Sequence, residues 1–106
     1  MTEATVFAGI FTSQPLVFAH LLDAADQHRL VLDLDHVEVI QGDPEKRLAH
    51  VFEINDAAWI IEQQGLDSTL VVVFPEALIP GAQLFQATPL LRRIGAFRPI
   101  RTRGLS

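Results

Sequence analysis

Cysteine and tyrosine are both absent from the sequence, and tryptophan and methionine occur once each. Without cysteine the chain has no disulfide, no thiolate nucleophile and no sulfur ligand for a metal ion. Without tyrosine it has no phenol for acid–base catalysis. The lack of disulfides fits a reducing compartment, so we expect a cytoplasmic protein.

Long apolar runs are missing as well. No stretch approaches the roughly 20 apolar residues that a membrane-spanning helix requires. The N-terminal stretch has no basic leading segment, contains Glu3 and is interrupted at Gly9. We therefore expect neither a signal peptide nor an association with membranes.

Apolar residues make up 49% of the 106 residues, which is enough for one hydrophobic core but not for two. We expect a single domain over residues 1–97 and a flexible basic tail over residues 98–106. Residues 1–90 contain all thirteen acidic residues and three basic ones, whereas residues 91–106 contain five arginines and no acid. An acidic body repels nucleic acid and attracts basic partners, and arginines without interleaved aromatic residues are a weak signal for RNA binding.

Apolar periodicity and turn residues predict the element order β-α-β-α-α-β-loop-β. The order indicates an α+β fold, a two-layer sandwich with helices on one face of a small mixed sheet. The predicted strands are 5–11, 30–40 with a bulge at Asp35-His36, 70–74 with both faces covered, and 90–97. The first predicted helix is capped by Thr12 and Ser13, the second lies within 44–53, which also fits a strand, and the third is capped by Asn55 or Asp56. Trp59 is predicted to pack in the core, with an interface role as the alternative.

The sequence offers no convincing set of catalytic groups. His20, His28, His36 and His50 do not have the spacing of metal ligands, and neither Ser13 nor Ser68 lies in a nucleophile elbow. Asp33 and Asp35 supply two carboxylates beside His36, too few for a metal site. No glycine-rich phosphate loop is present. We therefore predict a non-enzymatic protein without metal or cofactor.

The chain opens with an apolar strand, a glycine, a phenylalanine and a serine, formed by Val6, Phe7, Gly9, Phe11 and Ser13, and residues 91–97 read Leu-Arg-Arg-Ile-Gly-Ala-Phe. These two ends resemble the bacterial immunity protein twenty-two family, whose members open in the same way and often close with Leu-x-x-Ile-Gly-x-Phe. The chain departs from the family in having Phe7-Ala8 where a tryptophan often precedes the glycine, and in the Pro/Gly-rich loop 75–89. The matched residues look structural, so no site residue follows from the resemblance.

The resemblance implies a protein that neutralises a cognate antibacterial toxin by binding it and blocking its active site. An acidic inhibitor suits a toxin with a basic active-site cleft. The residues predicted to contact the toxin are the acids of the second strand region, Asp33, Asp35, Glu38, Asp43 and Glu45. A solvated acidic edge that discourages strand pairing explains the same residues. The alternative function is a small metabolic or regulatory domain that binds a ligand or forms a homodimer.

Overall fold

The structure is a computed structural model, and it describes residues 3–100. These residues form four strands and three α-helices. In order they are β1 (Ala4–Gly9), α1 (Gln14–Gln27), β2 (Val37–Ile40), α2 (Pro44–Leu48), α3 (Ile54–Gln64), β3 (Thr69–Val73) and β4 (Leu91–Phe97). The predicted α+β class is confirmed, and the segment that also fitted a strand contains the helix α2.

The four strands form one sheet in the order β2-β3-β1-β4, and every neighbouring pair is antiparallel. The sheet is therefore purely antiparallel, whereas the sequence analysis predicted a mixed sheet. β1 and β2 run in the same direction, as expected for strands joined by a crossover helix. β3 lies between them, however, and because it runs the opposite way no parallel pair forms.

Helices cover both faces of this sheet, so the prediction of helices on one face is wrong. On one face α1 packs over a cluster that includes Phe7 and Val71 from the sheet. On the other, α2 and α3 pack over a cluster that includes Val6 and Val72. The cause lies in β3, which is buried at every position and so must be covered on both sides, as its continuous apolar run predicted.

The predicted strand 30–40 is a strand only from Val37 onwards. Before it the chain makes a 3₁₀ turn, Leu34–His36, in place of the expected bulge. The carboxylate of Asp33 accepts the N–H of Asp35 at 3.0 Å, and this local bond competes with an extended backbone. The turn places both aspartates ahead of the strand instead of along it.

The third helix also differs in detail from the prediction. It begins at Ile54 because the side chain of Glu53, not that of Asn55 or Asp56, caps it by accepting the N–H groups of both residues. Trp59 on this helix is 49% exposed, so its predicted place in the core is wrong.

The first and last strands, β1 and β4, are neighbours in the sheet. Gly9 lies opposite Leu91 and Gly95 opposite Val6, so the two glycines do not face each other. Beyond β4, Pro99 forms an isolated bridge with Phe52, and the N–H of Ile100 donates to Val51 at 2.7 Å. The first residues of the predicted tail 98–106 are thus bonded to the α2–α3 connection, and the rest lie outside the described residues.

Candidate partner-binding surface

The five predicted contact residues lie in a row along the β2 edge of the sheet, and we call them the acidic border. Asp33 and Asp35 precede β2 and Glu38 lies within it, whereas Asp43 and Glu45 follow it at the start of α2. A four-residue strand separates the two ends of this row by about 13 Å. The fold therefore aligns the acids without gathering them into one cluster.

Among residues 3–100, Glu38 is the one member of the border that forms an ion pair with a lysine or arginine. The guanidinium of Arg47 on α2 lies 3.6 Å from its carboxylate. The same guanidinium donates to the carbonyl oxygen of Val39 at 3.5 Å, on the side of β2 that faces away from β3. Arg47 therefore covers part of the open strand edge and removes Glu38 from the charges available to a partner.

The other four acids are exposed, and none of them forms an ion pair with a lysine or arginine among residues 3–100. Asp33 lies 3.9 Å from His36, and both side chains are substantially exposed, at 53% and 39%. That separation is longer than a hydrogen bond. Within the described part of the chain, no group of three or more potential ligands is placed to hold a metal ion. The border presents carboxylates to solvent at both ends.

A second polar contact, between His20 on α1 and Thr88 in the loop before β4, was not predicted. His20 Nε2 lies 2.6 Å from the Thr88 hydroxyl, which also accepts the N–H groups of Leu90 at 3.2 Å and Leu91 at 3.0 Å. A hydroxyl has one hydrogen and two lone pairs, so with both lone pairs in use it donates to Nε2. The contact requires a neutral imidazole with its proton on Nδ1. No sequence spacing signals a bond between residues 68 positions apart.

The environment of His20 agrees with the neutral form. Burial lowers the pKa of the imidazole below 6.5, and the nearby Asp23 carboxylate opposes that shift. The Phe11 ring lies against the same imidazole, with 5.7 Å between ring centroids. The unfolded chain therefore takes up this proton first on acidification. The contribution of His20 to the free energy of unfolding is therefore fully present above pH 6.5 and is lost as the pH falls from there to the folded-state pKa.

We expect the thermal midpoint of unfolding to be lower at about pH 5.5 than at about pH 7.5. The decrease should be smaller in His20→Gln, which has no proton to gain. Thermal unfolding followed by circular dichroism at both pH values measures the difference. Thr88→Ser is the control, because it keeps the hydroxyl and its bonds and so keeps the wild-type pH dependence. The same slope in His20→Gln as in the wild type would place the titrating group elsewhere.

Comparisons with family models, with curated proteins and with solved structures find no match to this chain. The immunity-family resemblance stays a prediction. Of the residues that carry its opening part, Val6, Phe7, Gly9 and Phe11 are buried in or just after β1, where they pack instead of contacting solvent, and Ser13 is partly exposed. Of the helices between residues 3 and 100, none combines the length and the apolar character that crossing a bilayer requires.

Proposed function

We propose that this chain is a cytoplasmic immunity protein that binds a cognate antibacterial toxin through the acidic border and blocks its active site. The observation that supports the proposal is the row of exposed carboxylates along one edge of a well-packed sheet. Carboxylates accept strong, charge-assisted hydrogen bonds from arginine and lysine side chains. A toxin with a basic, anion-binding cleft offers such donors.

The size and charge of the domain fit this role. A standard interface covers about 800 Å² of each partner, against a total accessible surface of 6624 Å² here. The four-residue strand β2 separates the two ends of the border by about 13 Å, so the border fits within an interface of this area. The excess of acids over residues 1–90 speeds the encounter with a basic cleft.

The mode of contact follows from Arg47. Since its guanidinium covers the Val39 carbonyl, the edge of β2 is a poor template for an added strand. We therefore infer that side chains, not backbone pairing, make the contact with the toxin. The two ends of the border, Asp33 with Asp35 and Asp43 with Glu45, supply the free carboxylates.

The test replaces one end of the border. Asp33→Lys combined with Asp35→Lys is expected to weaken toxin binding by about a hundredfold or more, since two attractive contacts become repulsive. The toxin is sought among the products of the neighbouring genes; affinity for it is measured by calorimetry, and protection is measured as survival of cells that express both proteins. Circular dichroism verifies that the variant is folded.

A matched control separates local contact from overall charge. Asp56→Lys combined with Glu62→Lys makes the same change in net charge on α3, which contacts β4 and so lies toward the opposite edge of the sheet. This control is expected to keep most of the wild-type affinity. Equal affinities in the two double variants would show that the acidic border is not the contact surface.

A further inference from the structure

β4 forms the second edge of the sheet, and it differs from β2 in being open. It is seven residues long and pairs with β1 on one side. Among residues 3–100 no strand pairs with its other side. Every residue of β4 after Leu91 is at least partly exposed, whereas the neighbouring β1 is almost wholly buried. A strand edge of this length is a ready template for another extended segment.

A groove of about 610 Å³ lies on one face of the sheet, over β3, β1 and β4, and reaches this edge. Thr5, Val73 and Ala96 from three adjacent strands contribute to its floor. Its walls come from the segment after β3 and are largely apolar, with Phe74, Leu78, Leu84 and Phe85 among them. Because side chains of a strand alternate between faces, every second side chain of a segment added to β4 would point toward this groove.

Arg93 gives the groove its charge preference. Its side chain lies on β4, lines the groove and is exposed, and it forms no ion pair with any described residue. The adjacent Arg92, in contrast, donates hydrogen bonds to the carboxylate of Asp67 at 2.9 Å and to the carbonyl of Gln63 at 2.6 Å. Glu3 and Glu76 also line the groove, so it suits one carboxylate facing Arg93 and repels a run of acids.

We propose that β4 and its groove bind an extended segment of a partner protein by strand addition. The segment carries one Asp or Glu side chain that pairs with Arg93 and apolar side chains that enter the groove. Three strand spacings, about 14 Å, separate this surface from the β2 edge, so it does not depend on toxin binding at the acidic border. The chain then has two separate interaction surfaces.

The probe is a displayed library of random ten-residue peptides, selected on the full-length chain, with the enriched peptides then synthesised. We expect these peptides to combine one acidic residue with apolar residues at alternate positions, and to slow hydrogen exchange at the β4 amides. N-methylation of alternate peptide amides removes the backbone bonds while keeping the side chains. It should reduce affinity by about tenfold or more.

Variants of the chain test the charge preference. Arg93→Glu is expected to weaken the selected peptides by about tenfold or more, because it sets a third carboxylate beside Glu3 and Glu76. Arg93→Gln removes the charge without adding that repulsion. It is the variant whose peptide affinity is measured if Arg93→Glu fails to fold. Arg98→Glu, which follows β4 and does not line the groove, should leave affinity unchanged.

Three results would overturn the proposal. The first is a selection that enriches no peptide, or only peptides that protect amides outside β4. The second is binding that is insensitive both to N-methylation and to Arg93→Gln. The third is a chain that is dimeric by light scattering with its β4 amides already protected, since a second copy would then occupy the edge.

Discussion

Replacing Phe7 with alanine should lower the free energy of unfolding by about 4 kcal/mol. Phe7 is completely buried in the central strand β1, and its ring packs against that of Phe85 with 5.7 Å between centroids. The substitution removes a large apolar group and leaves a cavity under α1 that the sheet is too well packed to close. Urea unfolding followed by circular dichroism measures the loss.

The adjacent residue tests whether the second face is covered as well. Val6 points to the opposite face, toward α2 and α3, and is also completely buried. Val6→Ala is expected to cost about 2 kcal/mol, whereas the partly exposed Thr5→Ala should cost less than about 1 kcal/mol. If Val6→Ala were as mild as Thr5→Ala, the face under α2 and α3 would not be a packed core.

The layering was only partly predictable from the sequence. The run of apolar residues in β3 correctly indicated a strand covered on both faces, but the helices alone gave no sign of which face each would take. That choice depends on the insertion of β3 between β1 and β2, which joins residues far apart in sequence. Local patterns report helix and strand periods, and they do not report strand order.

The error at residues 30–40 has a local cause. Alternation of leucine with polar residues fits a strand, yet the Asp33 carboxylate satisfies the N–H of Asp35 and turns the backbone first. The candidate site was also only partly predictable. The sequence located the acids, but it did not show that Arg47, nine positions after Glu38, neutralises one of them.

The two edges of the sheet are protected from self-association to different degrees. The β2 edge has the Arg47 guanidinium over its backbone and carboxylates at both ends, a combination that discourages strand pairing. The β4 edge has only its arginines, of which Arg92 is tied to the end of α3. Strand addition is therefore less hindered at β4, whereas a basic protein surface can contact more carboxylates at β2.

Gly9→Ala should destabilise the fold by about 3 kcal/mol, although it adds a single methyl group to the chain. A Cβ at this position would overlap the backbone carbonyl oxygen of Leu90 and come within 3.1 Å of the Leu91 side chain. A backbone carbonyl cannot rotate away, so β1 and β4 must separate where they meet. The loss is measured by urea unfolding.

Gly95→Ala is the matched control in the partner strand. A Cβ there meets only the ring of Phe97, at 3.0 Å, and a side chain can shift at a smaller cost of about 1 kcal/mol. The difference between the two variants isolates the close approach of the Leu90 carbonyl to Gly9. Equal losses in both would mean that this carbonyl has room to move, and that β1 and β4 are held together less tightly than their register indicates.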